Sequence, residues 1–254
     1  MSKYYNSKRT RNLYDPSSKN PFKLSRSKIE LFMECQRCFY IDRRLGVNRP
    51  PGFPFTLNSA VDNLLKNEFD YYRLKKQQHP IQIEYNIDAI PAEHTDLDKW
   101  RYNFEGIQYQ HMATNFIVFG AIDDLWINSK DEYIIVDYKS TSTNDKIVSL
   151  DKAWHDSYKR QIEIYQWLLM KNGYNVSEVS YFVYCNGLKD RNEFGKKLDF
   201  DVTLITYNGN FEWVEEVIFK AFECLQSVNI PEIIPTCDYC SYIQSIGGIT
   251  DHSS

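Results

Sequence analysis

The centre of the chain carries its strongest structural signal, two runs of β-branched and aromatic residues joined by a polar turn. The runs cover residues 115–127 and 132–139, and Asn128-Ser129-Lys130-Asp131 lies between them. Strands favour such side chains, and a short turn between two strands brings them together as a hairpin. The sequence therefore predicts an antiparallel hairpin here, which limits the fold to those with a central sheet.

Segments on both sides of the hairpin complete a mixed α/β pattern. Ser27 and Glu30 fit a capping box that would start the first helix, and Gly173 would end the helix after the hairpin. We expect helices over 27–45, 56–76, 152–172 and 211–228, and further strands over 81–87, 176–186 and 198–207. The predicted domains are a flexible basic arm over 1–23, one α/β domain with a mixed sheet flanked by helices over 24–246, and a flexible tail over 247–254.

Composition limits the classes of protein to which the chain can belong. Hydrophobic residues make up 43% and charged residues 25%, as in ordinary globular proteins. No apolar run approaches the roughly 20 residues that span a bilayer, and the N-terminus lacks the apolar stretch of a secretory signal. We therefore expect a cytoplasmic protein without a membrane partner.

Charge is unevenly distributed along the chain. The formal net charge of −4 argues against a nucleic-acid partner, but between Lys3 and Arg49 twelve Lys or Arg residues stand against four acids. Such a segment can form a basic face that meets phosphate groups, or a solvated basic tail. Charge leaves both interpretations open.

Two carboxylates and a lysine lie on the predicted hairpin. Asp137 and Lys139 are two residues apart on one strand and therefore share a face, and Asp123 follows a glycine on the other strand. Two carboxylates suit Mg²⁺ or Mn²⁺, which can activate a bound water and stabilise charge on a phosphoryl oxygen. Lys139 could orient that water or hold the developing negative charge. A salt bridge at a strand end is the alternative interpretation.

The same residues resemble a known family. Gly120-Ala121-Ile122-Asp123, followed by residues 134–141 with Asp137 and Lys139, is similar to the core of the RecB-like branch of PD-(D/E)XK nucleases. That branch includes iron–sulfur-containing CRISPR-associated and AddB-type exonucleases. The resemblance spans about residues 25–242 and implies a restriction-endonuclease-like core, with Asp123, Asp137 and Lys139 as catalytic residues.

The resemblance also implies roles for three residues outside the hairpin. Members of the branch carry a Gln-x-x-x-Tyr motif that supports the active site and contacts DNA, and Gln161 and Tyr165 match it. One helical turn separates the two, so we expect them on one exposed helix face. The branch also takes a metal ligand, usually His, from a Gly-x-x-x-His pattern. Asn58 and Asp62 stand at those positions, and Asp62 is an acceptable ligand for Mg²⁺. Ordinary polar helix positions are the alternative for all three.

Four of the six cysteines form two Cys-x-x-Cys pairs, Cys35 with Cys38 and Cys237 with Cys240. In an intracellular protein this spacing indicates a metal or a cluster rather than disulfides, and four thiolates satisfy either Zn²⁺ or a 4Fe–4S cubane. The resemblance favours 4Fe–4S, although the branch often uses one N-terminal and three C-terminal cysteines. We expect one centre that clamps the two ends of the domain. Buried apolar positions are predicted for the two remaining cysteines, Cys185 and Cys224.

Together these features predict a metal-dependent nuclease that hydrolyses DNA, either single-stranded or at duplex ends, in repair, recombination, replication or defence. A separate helicase or a recombination or defence protein is the expected partner, because the chain has no phosphate-binding loop of its own. Two alternatives remain: a catalytically inactive nuclease-like module that binds DNA, and a metal-stabilised interaction protein. The histidines show no metal-ligand spacing and receive no role.

Overall fold

A computed structural model of the chain describes residue 5, residues 8–52 and residues 56–250, without the side chains of 247–250. The strands are β1 Phe22–Ser25, β2 Ile90–Pro91, β3 Ile107–His111, β4 Phe116–Gly120, β5 Asp124–Ile127, β6 Tyr133–Thr141, β7 Val179–Gly187 and β8 Phe200–Asn208. The helices are α1 Arg26–Glu34, α2 Gln36–Arg43, α3 Thr56–Lys75, α4 Pro80–Glu84, α5 Leu97–Trp100, α6 Asp156–Lys171, α7 Trp213–Gln226 and α8 Asp238–Thr250. A 3₁₀ turn, Ala153–His155, precedes α6. Within the described ranges, no helix has the length and apolar composition that crossing a bilayer requires.

The chain divides into two compact units. Unit 1 holds the described residues of Met1–Phe53, Gln110–Val118 and Glu212–Ser254, and unit 2 holds those of Pro54–Tyr109 and Phe119–Phe211. Each unit is described by itself below.

Unit 2 is built on a five-stranded mixed sheet in the order β2-β5-β6-β7-β8. Strands β5 and β6 form the predicted antiparallel hairpin, β6 and β7 pair in parallel, and β7 and β8 are antiparallel. Only the second half of the predicted first strand takes part, because β4 belongs to a separate three-stranded sheet in the order β1-β4-β3. The expected α/β class with a mixed sheet flanked by helices is confirmed.

Two helices position the hairpin within unit 2. Parallel strands cannot be joined by a tight turn, so α6 forms the crossover from β6 to β7. It ends at Lys171, and Gly173 follows two residues later with a φ of +84°, in the left-handed region that favours glycine. Helix α3 covers the hairpin through Phe69, whose ring stacks on Trp126 and Tyr138 with centroids 5.4 and 5.7 Å away. This aromatic packing fixes α3 against β5 and β6.

Unit 1 packs α1, α2, α7 and β1 around aromatic side chains. Tyr14 meets the rings of Phe22 and Phe116 edge-on, with centroids 5.3 and 5.9 Å away, and its backbone N–H donates to the carbonyl of Arg43 at 2.7 Å. The predicted flexible arm is therefore held in the core from Tyr14 onward. Its residues 1–4 and 6–7, and residues 251–254 of the predicted tail, lie outside the described residues.

Local hydrogen bonds overturn two expectations for secondary structure. The predicted strand 81–87 is the short helix α4, because His79 and Gln82 cap its N-terminus reciprocally and Pro80 fixes φ in its first turn. The predicted capping box at Ser27 is also wrong, since α1 begins at Arg26 after Ser25, whose side chain makes no capping bond.

The first predicted helix breaks at Cys35 into α1 and α2. Cys35 has extended backbone dihedrals, and its sulfur accepts the backbone N–H of Cys38 at 3.4 Å. The sulfur thus replaces a helical carbonyl as the N-cap of α2. The break aims both sulfurs of the first Cys-x-x-Cys pair in one direction.

Candidate active site

The register of the hairpin brings the two predicted carboxylates together. Asp124 pairs with Val136, so the next position of the ladder sets Asp123 opposite Asp137, where directly opposed side chains share a face. Asp123 lies in the bend before β5 rather than on the strand that the sequence predicts. Its Oδ2 accepts the backbone N–H of Tyr138 at 2.9 Å. That bond fixes one carboxylate beside the strand that carries the other.

Asp137 and Lys139 are held by a shared partner on α6. Lys139 Nζ makes an ion pair with Asp137 Oδ2, and Gln161 Nε2 donates to Asp137 Oδ1 at 2.7 Å. Lys139 Nζ also donates to Gln161 Oε1 at 3.4 Å and lies 4.4 Å from the ring centroid of Tyr158. Asp137 is fully buried, so this pairing offsets the cost of a buried carboxylate.

Asp62 approaches Asp123 from α3. One turn further along the helix, Lys66 Nζ lies 2.8 Å from Asp62 Oδ2 and 3.9 Å from Asp123 Oδ1. Burial raises the pKa of Asp62, and the negative charge of Asp123 raises it further. Asn58, which stands where the family carries glycine, donates from Nδ2 to the carbonyl of Ser140 at 3.0 Å. The start of α3 is thereby tied to the end of β6.

A buried ion network behind the site was missed by the sequence analysis. Asp124 points away from Asp123, and its fully buried carboxylate pairs with Arg73, with Arg101 at 2.7 Å and with the hydroxyl of Tyr138 at 2.7 Å. Burial raises the pKa of Tyr138, and Asp124 adds to this shift, so the hydroxyl stays protonated as a donor. The alternation of a strand, with adjacent acids on opposite faces, is the signal that could have separated the two aspartates.

Arg101 connects this network to the site. Its Nη1 contacts both carboxylate oxygens of Asp70 at 2.9 Å, and its Nε donates to the main-chain carbonyl of Asp123 at 3.0 Å. Although burial tends to lower the pKa of Arg101, the charges of Asp124 and Asp70 raise it. The guanidinium therefore stays charged and holds the backbone of a predicted metal ligand.

Gln161 and Tyr165 lie on one side of α6, but the expectation of an exposed face is wrong. Gln161 is 8% exposed and Tyr165 is 3% exposed. Both are buried because a crossover helix packs on the sheet whose strands it joins. Gln161 Nε2 donates to the Tyr165 hydroxyl at 3.2 Å, so Tyr165 lies behind Gln161.

The four cysteines of the two Cys-x-x-Cys pairs meet in unit 1. All four are buried, and their sulfurs lie within 4.8 Å of one another. Cys38 Sγ is 3.7 Å from Cys237 Sγ and 3.8 Å from Cys240 Sγ, and Cys35 Sγ is 3.7 Å from Cys240 Sγ. Cys38 lies on α2 and Cys35 is its N-cap, while Cys237 directly precedes α8 and Cys240 lies in its first turn. The predicted four-cysteine centre is thus confirmed as a group that could hold a metal.

The two remaining cysteines lie outside the centre. Cys185 is buried as predicted, whereas Cys224 is only half-buried.

A cation lies beside the sulfurs. Arg49 Nη2 is 3.5 Å from Cys237 Sγ, its Nη1 pairs with Glu34 at 2.6 Å, and its guanidinium lies 4.6 Å from the ring centroid of Tyr239. Burial by itself would raise the pKa of Cys237, but hydrogen bonds from the Cys240 N–H and from the neighbouring thiols lower it to about 7. The surroundings of Cys237 therefore favour the thiolate that a metal requires.

Part of the basic N-terminal segment is used within the fold. The buried carboxylate of Asp42 pairs with Lys28 at 2.6 Å, with Arg43 at 2.7 Å and with Arg9 at 3.6 Å. These three cations stabilise a buried acid, so the local excess of positive charge does not all face solvent.

A family model described as the PD-(D/E)XK nuclease superfamily matches residues 56–245. The chain belongs to this superfamily. The match covers most of the chain and includes every residue that surrounds the paired carboxylates. A search of curated proteins finds no match.

Membership of the PD-(D/E)XK superfamily agrees with the geometry of unit 2. The superfamily consists generally of nucleases, and these use divalent metal ions. Asp123 is opposite Asp137 across the hairpin, and Lys66 lies between Asp62 and Asp123. Carboxylate oxygens are the ligands that Mg²⁺ and Mn²⁺ prefer.

Proposed function

We propose that this chain is a divalent-metal-dependent nuclease that hydrolyses phosphodiester bonds of DNA. The observation that carries the proposal is the pairing of Asp123 with Asp137 across the hairpin, with Lys139 held against Asp137, in a chain of this superfamily. A protein that only binds partners would not require two opposed carboxylates and a half-buried lysine paired with one of them.

Asp123 and Asp137 would hold Mg²⁺ or Mn²⁺, and Asp62 would complete the set from α3. The chemistry that the ion supplies when bound is stabilisation of charge on a phosphoryl oxygen and activation of a water nucleophile. Lys66 neutralises two of the three acids in the metal-free state, at 2.8 Å from Asp62 and 3.9 Å from Asp123. We expect its ammonium to withdraw when a cation binds, because the ion and the lysine would occupy the same negative potential.

Lys139 would act on the reacting phosphate or on the attacking water. Its Nζ is restrained by Asp137, by Gln161 and by the face of the Tyr158 ring. A restrained ammonium is preorganised for charge that develops in the transition state. Gln161 is then a positioning residue that fixes both Asp137 and Lys139, and Tyr165 supports Gln161. We expect no direct contact between Tyr165 and a DNA base, because the Tyr165 ring is buried.

The deciding experiment is a cleavage assay on labelled single-stranded and double-stranded DNA with Mg²⁺, Mn²⁺ or EDTA. Asp137→Asn keeps an acceptor for Gln161 but removes the charge, so it should abolish hydrolysis while DNA binding largely survives through phosphate contacts. Asp190→Asn, an exposed acid elsewhere, is the matched control and should behave as wild type. Undiminished hydrolysis by Asp137→Asn would overturn the assignment. Inactive wild-type protein that still binds DNA would support a binding module instead.

We further propose that the cysteine centre holds Zn²⁺ rather than the 4Fe–4S cluster that the sequence resemblance favours. Four sulfurs at about 2.3 Å from one zinc ion form a tetrahedron with edges of about 3.8 Å. Three of the six sulfur–sulfur distances are 3.7, 3.7 and 3.8 Å and fit that edge. A cubane spreads its irons over separate corners, so its thiolates must stand further apart, on the order of 6 Å. All four sulfurs here lie within 4.8 Å of one another, which fits one ion better than a cluster.

Metal analysis of anaerobically purified protein tests this proposal. We expect one zinc per chain and no visible absorption, and Cys38→Ser should lower the zinc content where Cys224→Ser should not. Brown protein with four irons per chain and broad visible absorption that oxygen bleaches would overturn the zinc assignment.

A further inference from the structure

A cavity of about 250 Å³ lies in unit 2 beside the candidate active site. Thr141, the last residue of β6 and two positions after Lys139, forms one part of its wall, and the 3₁₀ turn Ala153–His155 contributes another part. Trp154 and His155 line this cavity from that turn. The cavity is large enough for one planar ring system and too small for a folded partner.

His155 lies in the wall of the cavity and carries a buried hydrogen-bond donor. His155 is buried, and its Nδ1 accepts the backbone N–H of Lys152 at 3.2 Å, so the ring proton lies on Nε2. Among the described residues, Nε2 has no hydrogen-bond partner. Burial lowers the pKa of His155, and the charge of Lys152 lowers it further, so the ring is a neutral donor at pH 7. A buried donor without an acceptor is costly, and a ligand that supplies an acceptor removes this cost.

Trp154 adds an aromatic surface next to the site. Its side chain is 52% exposed, and its ring centroid lies 5.7 Å from that of Tyr158, the ring against which Lys139 rests. Trp154 and Tyr158 therefore form a continuous aromatic surface between the cavity and Lys139. Exposed aromatic rings of this kind are the surfaces on which unpaired nucleobases stack.

The charges at the cavity argue for a neutral ligand. Two lysines and two aspartates line it, so their charges balance: Lys146, Lys152, Asp145 and Asp151. A phosphate site would need an excess of cations, and a neutral histidine donor with an aromatic ring suits an uncharged base that carries acceptor atoms.

We propose that this cavity is a nucleobase subsite that takes one unpaired base of the substrate strand, stacked on Trp154 and accepting a hydrogen bond from His155 Nε2. The inference rests on the proposed nuclease function and names its substrate as a strand with at least one unpaired nucleotide next to the scissile phosphate. A base that is paired and stacked in a duplex cannot enter such a cavity without leaving its partner. The subsite would thus select single strands or frayed ends.

Fluorescence anisotropy with labelled oligonucleotides tests the subsite in an Asp137→Asn background, so that hydrolysis does not consume the probe. We expect Trp154→Ala to weaken binding of a single-stranded oligonucleotide roughly tenfold or more and to change duplex binding less than twofold. Trp154→Phe should retain most of the affinity, and Phe194→Ala, which removes an exposed ring outside the cavity, should leave it unchanged. Equal affinity of the Trp154→Ala and parent proteins for the single strand would overturn the proposal.

Abasic oligonucleotides separate base recognition from phosphate recognition. The parent protein should lose affinity when bases are removed from the probe, whereas Trp154→Ala should bind the abasic and complete strands alike. Equal loss in both proteins would overturn the subsite, because bases would then be recognised elsewhere. Binding does not require hydrolysis, so a wild-type protein that cleaves no DNA yet shows this pattern would refute the nuclease proposal and keep the subsite.

Discussion

Replacing Arg101 by methionine should destabilise unit 2 more than a substitution that removes one positive charge from an exposed position. Arg101 makes four contacts of 2.7 to 3.0 Å, to Asp70, to the buried Asp124 and to the carbonyl of Asp123. Methionine fills much of the volume of the Arg101 side chain but carries no charge. The buried carboxylate of Asp124 therefore loses one of its two arginine partners. Removing one partner of a buried ion pair costs about 3–5 kcal/mol, and Asp124 keeps Arg73 and Tyr138, so we expect about 3 kcal/mol.

Urea unfolding monitored by circular dichroism measures this loss. Lys99→Met is the matched control, since it removes the same charge from an exposed position of α5 and should change the free energy of unfolding by less than about 0.5 kcal/mol. The double variant Arg101→Met/Asp124→Asn should recover part of the loss, because the uncompensated carboxylate is gone. The reasoning is refuted if Arg101→Met lies within 1 kcal/mol of wild type, or if the two changes are simply additive.

Three further predictions follow from the described contacts. Gly106→Ala should lose about 3 kcal/mol in urea unfolding, since φ is +63° and an added Cβ would lie 2.3 Å from a main-chain oxygen of β4. Gly173→Ala, with positive φ but open space, should lose only about 1 kcal/mol, and equal losses would contradict the clash. Cys38→Ser should lower stability by about 5 kcal/mol, because the centre closes a loop of roughly two hundred residues, whereas Cys224→Ser should cost little; equal melting temperatures would contradict the clamp. Asp62→Asn should raise the melting temperature of EDTA-treated protein at pH 7 and reduce the further rise with Mg²⁺, and a lower melting temperature in EDTA would refute this.

The sign of the Asp62 effect follows from linkage. The folded pKa of Asp62 is raised above its ordinary value of 3.8, so its ionisation favours the unfolded chain. The penalty is absent below pH 3.8, grows as the pH rises through the folded pKa and is complete above it. Asp62→Asn removes the penalty, so its stabilising effect should vanish in acid.

The hairpin and its acids could be predicted because they depend on local rules. Alternation along β6 fixes the common face of Asp137 and Lys139, and the short turn fixes which residues are opposed, so Asp123 had to meet Asp137. The position of Asp123 outside the strand could not be predicted, because the split of β4 from β5 depends on pairing with β1 and β3.

The residues that the sequence analysis missed are those whose partners are distant in the chain. Asp124 is balanced by arginines 51 and 23 positions away, and no local pattern links the three. Burial of α6 was hidden in the same way. The polar residues of α6 are typical of a solvent-exposed helix face. In the structure, however, Glu163 accepts hydrogen bonds from the Tyr207 hydroxyl and the Asn210 N–H, and Gln166 donates to the carbonyl of Ser177. Polar side chains enter a core when such partners satisfy them.

Two acids of the candidate site, Asp62 and Asp137, are neutralised from within their own elements in the metal-free protein. Lys66 makes an ion pair with Asp62 one turn along α3, and Lys139 makes an ion pair with Asp137 two residues along β6. Local pairing lets the chain fold before any cation binds, since buried carboxylates without partners would oppose folding. The two lysines should respond differently when a cation binds. The described contacts of Lys66 are with Asp62 and Asp123, so we expect it to withdraw when a cation binds. Lys139 is also held by Gln161 and the Tyr158 ring, so we expect it to stay. In the proposed mechanism, Lys139, the lysine that we expect to stay, is the one that would meet the substrate's charge.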